Sequence, residues 1–303
     1  MHPLVTVNIL SYNRKDDLRN TLQKVSEQDY KNIEVIVVDN NSHDGSVEMV
    51  KLEFPAVRLL ELQKNIGIAG WNEGAKIAKG EYLLFLDDDS YPEKNTLLIA
   101  SPCFRANTIL ALDIRHPSQP KIDKQDLRKK PYPTFVGCGV IIPSNMFQNL
   151  HGFERLLFLY LHEEEFSLRA LNSGYIVQYV PNSIVYHMLS LAHRDDANHR
   201  RTDKRKQYYF IRNTIILLIF HFPFHNAFPR IIRMSMGWII FSIIQGGVYS
   251  VLGGIIDGVK VTRRNWNHRV IVNNSVVKRY DYGKCFASFF GDGKYAFRRP
   301  TWL

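Results

Sequence analysis

Apolar positions along the first half of the chain follow two alternating rhythms. Val5–Leu10 is a short β-rich run, after which Leu18, Leu22 and Val25 recur at helical spacing. Ile33–Val38 is a second run, stopped by Asp39-Asn40-Asn41-Ser42. Asp44-Gly45 marks a turn, Val47–Leu52 reads as a short helix and Val57–Leu62 as a third strand. Ile68–Ala78 has a helical pattern, with Gly80 as its expected C-cap. Tyr82–Leu86 is a fourth strand, ended by Asp87-Asp88-Asp89. Strands alternating with helices over short loops predict parallel βαβ units. The nearly unbroken apolar runs at 33–38 and 82–86 suit strands covered on both faces.

Further along the pattern loosens. Residues 113–133 are polar, rich in Pro and Lys, and read as a mobile loop. Thr134–Pro143, with Gly137 and Gly139, reads as a strand, Glu163–Asn172 as a helix, and Ile176–Val180 and Ile184–His187 as short strands. Ile215–Phe222 is a short apolar segment. Met234–Ile256 runs 23 residues without a formal charge, which reaches membrane-spanning length. Its small residues Ser242, Gly246, Ser250 and Gly254 recur every four positions, a pattern that lets helices approach closely. The expected fold is therefore α/β, with a mostly parallel sheet flanked by helices over 1–193 and a helical region over 194–303.

Charge sharpens this division. The net charge of +10 taken whole suggests nucleic acid or an anionic membrane. Residues 1–193, however, hold 20 Lys/Arg against 23 Asp/Glu, and residues 194–303 hold 19 against 6. The basic residues lie beside long apolar segments and no nucleic-acid motif is present, so a membrane surface is the expected partner and nucleic acid is not. The three cysteines, Cys103, Cys138 and Cys285, form no CxxC pair and fit a reducing compartment. The first residues show no secretory leader pattern.

The candidate chemistry is acidic. Ligands of such sheets bind beyond the carboxyl ends of the strands. Tyr12-Asn13, Asp39-Asn40 and Asp87-Asp88-Asp89 all fall there. Three adjacent carboxylates repel, and a divalent cation held through oxygen would relieve them. A solvated turn is the other reading of the same residues.

Five segments then add up: VTVNILSYNRKDDL, VIVVDNNSHDGS, NIGIAGWNEGAKIAKGEYLLFLDDDSYP, GFERLLFLYLHEEEFSLRALNSGY and VPNSIVYH. In this order, over residues 4–187, they resemble a family 2 glycosyltransferase with the GT-A fold. Within that family they are most similar to the non-processive rhamnosyltransferase-like and galactofuranosyltransferase-like branch. The QxxRW motif of processive synthases is absent.

The resemblance implies a nucleotide-sugar half at 1–112 and an acceptor half at 134–193. It implies that Tyr12, Asn13 and Arg14 line the nucleotide pocket, and that Asp39 bonds the base with Asn40 beside it. Asn65, Gly67 and Asn72 would shape the wall near the ribose and sugar. Asp87 and Asp88 would approach the ribose or sugar. Asp89 and His187 would hold the metal, Mn²⁺ or Mg²⁺. Trp71 stands where a related motif has glycine and would narrow the sugar pocket. Registered on Leu168-Arg169, Glu163 falls where the family places its catalytic base, usually an Asp. Glu165 matches a second acid, and Glu164 stays open as the base through a shift of register.

The implied activity is an inverting, metal-dependent transfer from a nucleotide-diphospho-sugar to a saccharide, lipid-linked acceptor in surface or capsular polysaccharide synthesis. KQYYFIRNTIILL resembles a segment that follows the catalytic domain in bacterial members acting on lipid-linked saccharides. It implies attachment to the cytoplasmic face of the membrane, either in the interface or through one spanning segment. A catalytically silent sugar-nucleotide-binding module and a nucleotidyltransferase remain as alternatives.

Overall fold

The computed structural model describes residues 2–117, 134–188 and 204–279. Its first half keeps the predicted alternation. Strand β1 (Val5–Ser11) leads to helix α1 (Lys15–Ser26), β2 (Ile33–Asp39), α2 (Ser46–Glu53) and β3 (Arg58–Glu61). A 3-10 turn, Gly67–Ala69, opens α3 (Gly70–Ile77), and β4 (Tyr82–Asp87) follows. Leu18, Leu22 and Val25 pack from α1 onto Val5, Val7 and Ile9 of β1, as their spacing requires. Gly80 does not cap α3, which ends at Ile77. A side chain at 80 would begin 2.5 Å from the Thr6 backbone nitrogen, so the glycine serves the close approach of the chain to β1.

Next come β5 (Ser90–Pro92), α4 (Thr96–Ala100), β6 (Thr108–Arg115), β7 (Val140–Pro143) and α5 (Ser144–Asn149). Helix α6 (His162–Asn172) and strand β8 (Ile176–His187) close the sheet. The strand order is β3-β2-β1-β4-β7-β6-β8-β5. The first four strands are parallel to one another, while β7 runs antiparallel to β4 and to β6. Apolar side chains fill both faces, with α1 and α2 on one side and the aromatic group of Trp71, Phe85, Phe147, Phe153 and Phe166 on the other.

Several sequence expectations change here. Strand β6 carries the apolar run Ile109–Leu112 on into the stretch expected as loop, through Asp113 and Arg115, and these two pair with each other at 2.6 Å. The strand expected over Thr134–Pro143 begins only at Val140. Residues 134–139 instead turn beneath α6, and Gly139 leaves no room for a side chain beside Ile114. The two short strands at 176–187 are one strand, β8, passing through Asn182 in the left-handed region. Most of the loop expected at 113–133 lies outside the described residues, as do the changeover near Arg194 and the chain beyond Arg279.

The remaining helices are α7 (Lys204–His221), α8 (Phe224–Gln245), α9 (Val248–Arg264) and α10 (Asn274–Arg279). The uncharged run Met234–Ile256 is broken at Gly246-Gly247, whose φ values of 85° and 107° suit glycine alone. The small-residue stripe is thereby split between two helices. Close packing occurs instead between α9 and α7, where a Cβ on Gly254 would lie 2.6 Å from the Tyr208 carbonyl oxygen. Arg212 and Tyr208 both bond Asp257 across this seam, at 2.9 and 2.8 Å. Among the described residues, one helix segment, Phe224–Ile244, is long and apolar enough to cross a membrane, with a mean hydropathy of 1.4.

Candidate active site

The strand register sets the site. Ser11 pairs with Asp39, and Leu10 with Asp87, so three strand ends stand side by side on the carboxyl edge of the sheet. The loop after β1 is tied down on both sides. The Asn13 backbone N–H donates to Ser42 Oγ at 2.9 Å, and Asn13 Oδ1 accepts from the His43 N–H at 2.7 Å. This bridge holds Asn13 at a φ of 52° and leaves the Tyr12 ring exposed beside the strand ends.

Asp39 is buried, and its Oδ2 accepts the Ser42 N–H at 2.8 Å. Its Oδ1 has no hydrogen-bond partner among the described residues, so a buried acceptor is left for a ligand donor. Asn40 reaches the other way. Its amide donates to the Gly67 carbonyl and accepts the Ile66 N–H, both at 3.0 Å. Asn65 Oδ1 accepts the Gly67 N–H at 2.8 Å. Gly67 itself is left-handed, with φ 62°, and a Cβ there would fall 1.9 Å from the Phe158 carbonyl oxygen.

Three residues expected near the sugar, Asn72, Asp88 and Trp71, make scaffold contacts. The Asn72 amide donates to the Phe153 carbonyl at 2.8 Å and accepts the Phe153 N–H at 2.9 Å. It staples α3 to the chain before α6 rather than lining open space. Asp88 accepts the Tyr12 N–H at 3.0 Å and pairs with Arg14 at 3.0 Å. Burial pushes the Asp88 carboxyl up to about 7, against the pull of Arg14. Trp71 is likewise core, not pocket lining. It is 1% exposed, its indole N–H donates to the Leu86 carbonyl, and its ring packs on Phe85, Phe153 and His162.

Arg14 reaches Asp89 as well, at 3.2 Å. On the far side of Asp89, the pairing of Ser90 with His187 brings the end of β8 alongside, and His187 Nε2 lies 3.2 Å from Asp89 Oδ1. Burial and the neighbouring Asp89 raise the Asp87 carboxyl to about 6, against His187 and Arg14. His187 is lifted to about 11: burial disfavours its charge, but Cys138 and Asp89 outweigh it. Three carboxylates therefore share one guanidinium and one imidazolium. A donor atom from each of Asp87, Cys138 and His187 lies within 4.8 Å of the other two. Oxygen, nitrogen and charge at this spacing fit a divalent cation.

Helix α6 faces this cluster. Glu163 Oε1 accepts the Gly137 N–H at 3.2 Å, and Glu163 Oε2 lies 3.1 Å from His162 Nδ1. Its charge adds to the upward push on the Asp87 carboxyl. Glu164 is buried, and that burial together with Glu163 pushes its carboxyl up to about 8, so it keeps its proton at neutral pH. Glu165 points away from the cluster. It forms a bidentate pair with Arg169, at 2.6 and 2.7 Å, and meets His221 Nε2 of α7 at 3.0 Å.

The chain that feeds α6 is unusual. Phe158, Tyr160 and Leu161 all have left-handed φ values, of 58°, 66° and 63°. Such residues cost about 1–2 kcal/mol each and persist only when held from outside. Asn213 of α7 supplies the hold, donating to the carbonyls of Leu157, Leu159 and Tyr160 at 2.8, 2.6 and 3.1 Å. Sequence reading missed Asn213 and Cys138. A polar residue inside the apolar run of α7, and a cysteine between two glycines, were the signals available.

Comparison with known proteins agrees with this architecture. The family profile described as Glycosyl transferase family 2 matches residues 6–154. The UDP-Glc:alpha-D-GlcNAc-diphosphoundecaprenol beta-1,3-glucosyltransferase WfaP of Escherichia coli is 38% identical over 91 residues, 29% of this chain and 36% of that protein. The chain spans about a third of the length of the curated relatives it matches. The mannosyltransferase PcManGT from Pyrobaculum calidifontis, solved in complex with GDP-Man and Mn²⁺, superposes with a TM-score of 0.58 at 17% identity, over 95% of this chain and 81% of that one. S. aureus TarS 1-349 in complex with UDP-GlcNAc gives a TM-score of 0.56 at 18% identity, over 71% and 66%. Residues 6–154 thus match the family 2 glycosyltransferase profile, within a chain that has a GT-A-like α/β fold.

Proposed function

We propose that the chain is an inverting, metal-dependent glycosyltransferase that moves a hexosyl or deoxyhexosyl unit from a nucleotide-diphospho-sugar to a saccharide acceptor. The observation that carries this reading is the position of Glu163. Its carboxylate accepts the N–H of Gly137, next to Cys138, whose sulfur lies within 4.8 Å of donor atoms of Asp87 and His187.

In this reading Tyr12 and Asp39 receive the nucleotide. Asp39 Oδ1 takes a base N–H, and the exposed Tyr12 ring offers a face for stacking. Asp89 and His187, with Asp87 beside them, would hold the cation. A bound divalent ion supplies charge stabilisation for the diphosphate leaving group. Glu163 takes the proton of the acceptor hydroxyl as that oxygen bonds the anomeric carbon. The bond from that carbon to the diphosphate oxygen breaks on the opposite face, so configuration inverts. Arg14 keeps Asp88 and Asp89 in place throughout.

The acceptor in this reading is lipid-linked and met at the cytoplasmic membrane surface. Phe224, Phe228, Ile232, Met236, Ile240 and Ile244 recur every four residues on α8 and are all exposed, Ile244 at 73%. On α9, Tyr249, Leu252, Ile256 and Val259 are exposed near Lys260, Arg263 and Arg264. Trp238 of α8 packs on Phe210 of α7, and α7 is fixed to the catalytic domain through Asn213 and His221. A helix held along one side in this way favours lying in the interface, with its apolar row in the acyl boundary, over spanning the bilayer.

The test is Glu163→Gln. Transfer should fall by at least about a hundredfold, the scale of a lost general base, while calorimetric binding of the nucleotide sugar stays near wild type. Full turnover by the variant would remove the assignment. Donor binding with no transfer by the wild-type chain to any lipid-linked saccharide would favour a silent binding module.

A further inference from the structure

Cys138 belongs to no motif in the chain, yet it sits where the metal would sit. It is buried, and a buried thiol is ordinarily a small apolar filler. Here two ligating groups stand beside it. They are the half-buried carboxylate of Asp87 and the imidazole of His187, each presenting a donor atom within 4.8 Å of the sulfur. Ligands on one tetrahedral ion, with bonds of about 2.0–2.3 Å, stand roughly 3.3–3.8 Å apart.

The sulfur is also held in place. It rides a turn whose flanking glycines have no spare room. A Cβ on Gly137 would lie 2.6 Å from His162 Nε2, and one on Gly139 would lie 2.2 Å from Ile114 Cδ1. The same turn donates the Gly137 N–H to Glu163. Three ends of the fold thus deliver an oxygen, a sulfur and a nitrogen to one point: the end of β4, the 137–139 turn and the end of β8.

We propose that Cys138 completes a mixed oxygen–sulfur–nitrogen metal centre with Asp87 and His187, so that the site takes thiophilic divalent ions such as Zn²⁺, Co²⁺ and Cd²⁺ through its thiolate, a ligand that Mg²⁺ does not use. The inference deepens the metal-assisted reading above and rests on it for the location of the ion. On binding, the Cys138 thiol and the His187 imidazolium each give up a proton to solvent as the sulfur–metal and nitrogen–metal bonds form. Soft thiolate ligands favour zinc-like ions, whereas carboxylates and water suit Mg²⁺ and Mn²⁺.

The test uses the full chain carrying Cys103→Ser and Cys285→Ser, so that Cys138 is its one thiol. Titration with Co²⁺ should raise a thiolate-to-metal charge-transfer band in the near ultraviolet. Adding Cys138→Ser should abolish the band, weaken Zn²⁺ binding roughly tenfold or more, and leave Mg²⁺ binding within about twofold. Cys138→Ala should behave alike, and thermal unfolding without metal checks that both variants fold. Co²⁺ that binds without the band overturns the proposal, as does Zn²⁺ affinity unchanged by the substitutions. Sugar transfer that persists with Mg²⁺ while the band is missing would sink this inference alone. Failure of every divalent ion to bind would sink it together with metal-assisted transfer.

Discussion

Glu165 is the acid of the 163–165 run that does no chemistry in this account, and its removal gives the sharpest stability prediction. Its side chain is 2% exposed and accepts from Arg169 at 2.6 and 2.7 Å and from His221 at 3.0 Å. Burial opposes its charge, but Arg169 and His221 overcome this and hold the carboxyl down at about 2, against an ordinary value of 4.5. That difference corresponds to about 3 kcal/mol of stability. Glu165→Gln should lose about that much at pH 7, because it also leaves a buried guanidinium half-paired. In a chain of this size the melting temperature should drop by roughly 6–12 °C. The sign with pH is fixed. A carboxyl depressed in the folded state stabilises above pH 4.5, and that benefit fades as pH falls toward 2. Urea unfolding of wild type and variant should therefore differ fully at pH 7 and converge toward pH 3. Because Glu165 ties α6 to α7, turnover should fall as well, with donor affinity kept. A loss under about 1 kcal/mol at pH 7, or a gap that widens on acidification, would refute the reasoning.

Other outcomes follow from single contacts. Glu164 carries its proton in the folded state up to about pH 8, so stability should decline as pH rises between 4.5 and 8, and Glu164→Gln should flatten that decline in thermal melts. Gly67→Ala places a carbon on the Phe158 carbonyl oxygen, so nucleotide-sugar affinity should fall at least tenfold by calorimetry, with unfolding at lower urea. Phe228→Ser with Met236→Ser should reduce flotation with anionic vesicles while leaving the melting temperature within a few degrees, since both side chains are exposed.

How much of this was legible beforehand depends on the range of the interaction. The β1–β4 half was readable because each strand is apolar along its whole length and each helix shows one apolar face. Strand β6 has an apolar run in Ile109–Leu112, but its charged end, Asp113 and Arg115, reads as the start of the polar stretch that follows. The strand ends could be named as a site because topology puts ligands there. The division of labour among the acids could not. Asp88 faces Arg14 and the Tyr12 N–H, while Asp39 keeps an unpartnered oxygen, and only the register of β1 with β2 and β4 separates them. Asn72 and Trp71 looked like pocket residues in the sequence. Their partners, Phe153 and His162, lie about 80 to 90 residues away, beyond the reach of local pattern. Cys138 and Asn213 act through contacts with equally distant segments and carry no local motif.

The most direct test of the central claim is the anomeric configuration of the product. Purified chain, supplied with an α-linked nucleotide sugar, a divalent cation and a lipid-linked saccharide, should yield a β-linked product by NMR, and Glu163→Gln should yield none. An α-linked product, or the same β-linked product from Glu163→Gln at wild-type rate, would contradict transfer by direct displacement with Glu163 as base.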